Sequence, residues 1–310
     1  MNESIVFNPF RTACKVNFKV SSYFLFIALG LLASSCDIIN PEEEIPGYLV
    51  IEDYEFTAGT ANGSGHENIT ELWVFINEEY LGVFPIPAKI PVLTLGDINV
   101  RIEPGIKENG ISSTPDINPF YTTFERNVNL DANQEVSLQP KFTYKSATRF
   151  AFIDEFEFNT FFSNVVTGTD ISRLRIDRDS PFEGGGSGQI DLSVDDPFVE
   201  IATAERFSGL VDNEFTVYLE VSFRSEVPVS FGVIGYERGQ VDPISINYQA
   251  GFNASEEWKK IYFNLAPVIF GSDADEFQII LRTSLPLAED GTFERTEATV
   301  ELDNIKLVHF

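Results

Sequence analysis

From Tyr48 onward, apolar and polar residues alternate with period 2, and no other feature restricts the fold of this chain as strongly. Successive side chains of a strand point to opposite faces, so such alternation marks segments buried on one side and solvated on the other. YLVIEDYEFT opens the pattern, and Thr70 to Phe84, TELWVFINEEYLGVF, reads as a hairpin turning at Asn77-Glu78-Glu79. KIPVLTLGDINVRIEPGIKENG carries two strands with turns at Gly96-Asp97 and Pro104-Gly105, and strands at Tyr121 to Leu130 and Glu135 to Tyr144 complete a first unit. About seven short strands with turn signals every 8–12 residues or so are what a β-sandwich requires. The alternation stops at Tyr144 and restarts at Phe150, predicting a boundary at 145/146. Beyond it FAFIDEFEF, GGGSGQIDLSV, PFVEIATAERF, EFTVYLEVSFRS, PVSFGVIGYE, EEWKKIYFNL, DEFQIILRTSL and TEATVELDNIKLVHF are strand candidates. The 29 phenylalanines, with many Val, Ile and Thr, favour strand over helix. The chain is therefore predicted to be all-β, with sandwiches at 47–145 and 146–310.

Residues 1–35 read differently. Arg11, Lys15 and Lys19 precede an apolar core from Tyr23 to Leu32, the order of a secretory signal. That core is too short to span a bilayer, which takes about 20 apolar residues. Ala33-Ser34-Ser35 then lead into Cys36, an arrangement that resembles the lipobox of bacterial lipoproteins, with Ala33 where such boxes usually carry Leu. The resemblance implies cleavage before Cys36, a diacylglyceryl thioether and an N-acyl chain on that cysteine, and durable membrane attachment, since several acyl chains hold where one binds reversibly. It implies an exported protein anchored to the outer membrane, on its periplasmic or cell-surface face. Residues 36–46 form the tether, in which Pro41, Pro46 and Glu42-Glu43-Glu44 read as an extended, self-repelling linker. The acidic run also resembles the surface-export signals of Bacteroidota lipoproteins.

Composition removes several function classes. A net charge of −27 opposes nucleic acid, whose binding begins with Lys and Arg neutralising phosphates. Cys14 leaves with the signal and Cys36 is committed to lipid, so neither a disulfide nor a cysteine nucleophile is expected. His66 lies in the GSGHEN loop and His309 is penultimate, and neither accompanies a Gly-x-Ser-x-Gly elbow. A zinc site lacks Cys and His ligands. The run Gly184-Gly185-Gly186-Ser187-Gly188 lacks the Lys-Ser/Thr of a phosphate loop. Glycoside hydrolysis needs only two opposed carboxylates, and Glu157, Glu220 and Glu301 are available. Glu220 and Glu301, however, fall at polar positions of alternating strands, where solvated carboxylates are ordinary. No enzyme is expected.

Two resemblances sharpen the fold. ELWVFINEEYLGVFPIPAKIPVL followed by GDINVRIEPGIKENGISSTPDINPFY looks like the N-terminal domain of uncharacterised Bacteroidota lipoproteins and, more distantly, like PEGA-type domains. This implies an Ig/PEGA-like sandwich and no chemistry. The second half is similar to the jelly-roll sandwiches of carbohydrate-binding modules through Phe156-Glu157, Ser187-Gly188, VYLEVSF, Trp258-Lys259-Lys260-Ile261-Tyr262 and Leu302-Asp303-Asn304-Ile305. That similarity implies a glycan ligand and a structural calcium between the first and last strands, carried here by Glu157 and Asp303. The other reading leaves Glu157 exposed and Asp303 bonded locally to backbone. Sugars stack on flat aromatic rings, and Trp73, Trp258, Tyr236 and Tyr248 are the rings on offer. Tyr236 and Tyr248, beside Gly235, Gly239 and Gly251, are the candidates for an exposed platform. Trp258 falls where the family places a core aromatic, so it is both a ligand candidate and a packing residue. The expected function is a membrane-anchored, non-catalytic module binding envelope or extracellular glycans. The alternative is a structural or assembly lipoprotein that contacts other envelope proteins.

Overall fold

The computed structural model describes residues 43–111, 113, 115–167, 173–210 and 216–310; the signal at 1–35, Cys36 and most of the tether lie outside the described residues. The first sandwich comprises β1 (Gly47–Ile51), β2 (Glu55–Thr57), β3 (Glu71–Ile76), β4 (Glu79–Pro85), β5 (Ala88–Val92), β6 (Gly96–Lys107), β7 (Pro115–Ile117), β8 (Phe124–Leu130), β9 (Glu135–Ser137) and β10 (Lys141–Thr143). The turn between β3 and β4 falls at Asn77 and Glu78, whose φ values of 50° and 68° are both left-handed. Turns of that hand match the twist of the strands they join. One sheet runs β4-β3-β6, with β8 and then β7 pairing along the other edge of β6. The rest form β5-β1-β9 and β10-β2, in which β9 and β10 run parallel to their partners. YLVIEDYEFT is thus two strands: it breaks at 52–54 because β1 and β2 serve different sheets. Leu49, Ile51, Leu72, Val74, Ile90, Ile102 and Phe142 share one core.

The second sandwich comprises β11 (Arg149–Asp154), β12 (Phe162–Thr167), β13 (Leu174–Asp177), β14 (Ser187–Ser193), β15 (Phe198–Thr203), β16 (Phe207–Ser208), β17 (Val217–Ser225), β18 (Val229–Tyr236), β19 (Ser245–Phe252), β20 (Ser255–Asn264), β21 (Glu276–Ser284) and β22 (Glu297–His309), with one short helix, α1 (Ala266–Phe270). Its two six-stranded sheets have the orders β13-β14-β22-β17-β20, with β11 also on β22, and β12-β15-β21-β18-β19, with β16 also on β21. Alternate residues point inward: Leu219, Val221 and Phe223 of β17 meet Phe231 and Val233 of β18 and Ile279 and Leu281 of β21 in a second core. Fully burying one such side chain contributes about 1.5–3 kcal/mol.

The alternation of β22 breaks once, and the break shapes everything built on that sheet. Glu220 pairs with Lys306 and Ser222 with Asp303, so one residue of β17 faces two of β22. This is a β-bulge, with Asn304 at φ 49°. It lets Asp303 and Lys306, three positions apart, both leave the core, while Leu302, Ile305 and Leu307 stay within it.

Residues Pro46–Phe310 fall into one compact unit. Tyr218, Tyr262 and Val308 of the second sandwich belong to the core of the first. The Tyr218 ring meets Phe120 edge-on, and the Tyr262 and Tyr121 hydroxyls lie 3.2 Å apart. Backbone joins the two as well, Asn109 N–H donating to the Tyr262 carbonyl at 2.8 Å.

Candidate ligand-binding face

The outer face of the β14-β22-β17-β20 sheet is divided in two. Toward the His309 end it is closed by the first sandwich, and the polar side chains that the strand pattern puts there are buried. Glu220, Lys260 and Lys306 are fully enclosed. Tyr144 donates to Glu220 Oε2 at 2.8 Å, and Lys260 Nζ lies 3.4 Å from the same oxygen. Lys260 also donates to the Asn304 carbonyl, freed by the bulge, and Lys306 donates to the Ser64 carbonyl and the Tyr144 hydroxyl. Glu220 is therefore not the solvated carboxylate its alternating position suggested, because the first sandwich covers that position.

Desolvation governs the titration of this cluster. Burial lowers Lys260, and it lowers Lys306 to about 8 with help from the Lys260 charge. Burial raises Asp303 to about 7, against the N–H groups of Asn304 and Glu183 that its carboxylate accepts. The hydroxyls of Tyr121, Tyr144 and Tyr262 are pushed up by burial and then by the Glu220 charge.

The loop between β2 and β3 completes the cover. His66 Nδ1 lies 2.8 Å from Ser222 Oγ, Ser64 donates to Glu183, and Asn68 donates to the Lys260 carbonyl. Burial and the neighbouring Lys260 hold His66 down at about 4. A serine–histidine pair exists here that the sequence did not announce. Ser222 is fully buried, and so low a pKa makes His66 a weak base at neutral pH.

Beyond the cover the same face is open. A groove of about 1250 Å³ crosses β14, β22 and β17. Three arginines line it against six carboxylates: Arg173, Arg224 and Arg295 against Asp191, Asp196, Glu226, Glu256, Glu297 and Glu301. The cations are paired, one of them across strands β17 and β22 and two between the segments that flank the strands. Arg224 holds Glu301 through Nε and Nη2, Arg173 pairs with Asp196, and Arg295 lies 3.6 Å from Glu226. Just outside, Arg175 donates twice to Asp191 Oδ2. Arg173 and Arg175 thus both serve this face. Arg178 instead donates to the carbonyls of Gly185 and Glu157.

Of the aromatic candidates, Trp258 alone stands at this face. Its half-buried ring stacks on Phe182 at 4.4 Å and 23°, Arg224 lies 5.6 Å above it, and Phe182 meets the His66 ring edge-on. This stack stands where the covered and open halves meet. Tyr236 and Tyr248 do not form an exposed platform. Both lie within strands of the other sheet, where alternation turns them onto arginines. Tyr236 is only 5% exposed, with Arg206 over its ring and its hydroxyl donating to Gln278. Tyr248 is half-buried under Arg282 and donates to Glu200, and burial and that carboxylate raise its hydroxyl pKa.

The calcium pair meets one loop without converging on a shared ligand set. Glu157 Oε1 accepts the Gly185 N–H at 2.7 Å, while Asp303 takes the Glu183 and Asn304 amides. Among the described residues, no group of three or more His, Cys, Asp or Glu is arranged to hold a metal ion. A hard cation takes six or more oxygens, more than these two carboxylates supply alone. Cys36 lies outside the described residues.

No family model matches this chain, and no curated protein matches it. Among solved structures, carbohydrate-binding modules from the β-sandwich superfamily are 12% identical at a TM-score of 0.35, over 86% of this chain and 99% of that one. A family 30 carbohydrate-binding module is 11% identical at 0.37, over 53% and 88%. A family 29 module from Piromyces equi is 12% identical at 0.32, over 53% and 92%. At such low scores the ligand has to be read from this chain's own residues.

Proposed function

We propose that this protein is a non-catalytic glycan-binding lipoprotein, held to the outer membrane through acyl chains on Cys36. The carrying observation is the open groove, whose polar walls include arginine–carboxylate pairs, Arg224–Glu301 across β17 and β22 and Arg173–Asp196 beyond the strand ends. Such pairs offer a donor and an acceptor side by side, which suits vicinal hydroxyls, and holding them in place beforehand lowers the ordering cost of binding. With three cations against six carboxylates, the groove favours a neutral glycan over an acidic one. No acid–base pair is assigned to it, because its carboxylates are either bound to arginine or spread along the rim.

Screening the purified protein on a glycan array tests the reading, followed by calorimetry on the best neutral hit. Arg224→Ala and Glu301→Ala are expected to weaken that hit at least tenfold. An array without a neutral hit, or variants that bind as wild type does, would refute it. The anchor is tested separately. Cys36→Ser is expected to move the protein into soluble fractions, and continued membrane retention would overturn that part.

A further inference from the structure

A second surface, on the first sandwich, carries the aromatic chemistry that the groove lacks. The outward residues of β3 are Glu71, Trp73 and Phe75, and register places Tyr80 and Val83 of β4 beside the two rings. Tyr80 is 56% exposed, with ring centroids 5.7 Å from Trp73 and 5.6 Å from Phe75. A solvated sheet face ordinarily presents polar side chains, so three rings together there are out of keeping with mere exposure.

The cluster is also fixed in position. On β6, Gly105 leaves the space that Trp73 fills: a Cβ at 105 would come within 3.0 Å of the indole Cδ1 and 3.1 Å of Nε1. On the same strand Arg101 lies 3.8 Å over the Phe75 ring and is held by Glu103 at 2.7 Å and Glu78 at 3.3 Å. Glu103 is fixed in turn by the Thr123 hydroxyl. Arg101 thus covers one face of Phe75, and the rings of Trp73 and Tyr80 beside it are bordered by immobilised donors and acceptors.

We infer that Trp73, Phe75 and Tyr80, with Arg101 and Glu103 at their border, form a second binding site, for the pyranose rings of a neutral polysaccharide. Aromatic faces carry negative potential and attract the C–H groups on the apolar face of a sugar ring. Trp73 and Phe75 are two residues apart, about 6.8 Å along a strand, the scale of one sugar ring. Arg101 stands between two carboxylates, and the chain carries a net charge of −27, so an acidic polymer is disfavoured. This site does not depend on the groove. If both are occupied, a polymer reaching the two gains by effective concentration, whereas a short oligosaccharide does not.

The chain has two tryptophans, so Trp258→Phe leaves Trp73 as the sole indole. Full-length Trp258→Phe, Tyr80→Ala and wild-type proteins in zwitterionic micelles are titrated with galactomannan, xyloglucan, arabinoxylan and the acidic polygalacturonate. At least one neutral polymer is expected to shift Trp73 emission to the blue and to retard wild type in affinity gels. Tyr80→Ala, altered at an exposed ring and so still folded, is expected to lose at least tenfold of that retention; polygalacturonate is expected to do nothing. Emission unmoved by all three neutral polymers, unchanged retention of Tyr80→Ala, or equal binding of polygalacturonate would each overturn the proposal. Loss of Arg224 and Glu301 effects in the groove would leave it standing.

Discussion

Replacing Glu220 with Gln keeps the volume of the side chain and an acceptor for Tyr144, but removes the carboxylate that, among the described residues, lies within salt-bridge distance of buried Lys260. Breaking a buried pair by deleting one partner typically costs about 3–5 kcal/mol. Lys260 can escape the unpaired state by losing its proton, which sets a ceiling. Its ordinary pKa is 10.5, so deprotonation costs about 5 kcal/mol at pH 7 and about 2 kcal/mol at pH 9, at about 1.36 kcal/mol per unit. Glu220→Gln is therefore expected to lose about 3–5 kcal/mol at pH 7 and no more than about 2 kcal/mol at pH 9, measured by urea unfolding followed in near-ultraviolet circular dichroism. Adding Lys260→Met should restore most of the loss, since the orphaned charge is gone. A loss below about 1 kcal/mol at pH 7, or the same loss at both pH values, would refute the placement of this pair as one desolvated beneath the first sandwich.

Four further outcomes are expected. Asp303, raised to about 7 from 3.8, binds its proton more tightly folded than unfolded, so it adds stability as pH falls from 7 toward 4; Asp303→Asn should flatten that part of the urea stability profile. His66, lowered to about 4 from 6.5, acts in the opposite sense, so the stability of His66→Asn relative to wild type should rise as pH falls through that window. Gly232→Ala should destabilise by about 1–3 kcal/mol or more, because a Cβ there would lie 2.2 Å from the Asn247 carbonyl oxygen. EDTA should leave the melting temperature unchanged, since Glu157 and Asp303 are bonded to backbone amides, and a downward shift would instead support the calcium pair.

What the sequence made legible was whatever alternation and turn chemistry govern locally. The β3–β4 hairpin falls where Asn77 and Glu78 interrupt ELWVFI and YLGVF, and those residues adopt the left-handed geometry a tight hairpin needs. The second sandwich follows the same logic through VYLEVSF and FQIILRT. The polar cluster was not legible, because a strand pattern says which face a residue occupies and not what later covers it. Glu220 and Lys260 sit at correct outward positions and read as solvated until the first sandwich is laid over them. Lys306 carried a faint signal: it interrupts the apolar run NIKLV where strict alternation from Asp303 would turn it inward, and only the bulge at Asn304 resolves the conflict. Tyr236 and Tyr248 misled because flanking glycines suggested loops, whereas Gly232 and Gly251 are sites of close backbone approach within the β18–β19 ladder.

The place of β22 in the sheet bears on how this chain reaches its folded state. β22 pairs with β11, β14 and β17, and it is synthesised after all three. While it is still absent, β11 and β14 have no seam to join, β17 has only β20, and the bulge that turns out Asp303 and Lys306 does not exist. The second sandwich cannot close before β22 is made, and the lysine that anchors the β2–β3 loop arrives with that same strand. A chain built in this order leaves β11, β14 and β17 without their shared partner until β22 emerges.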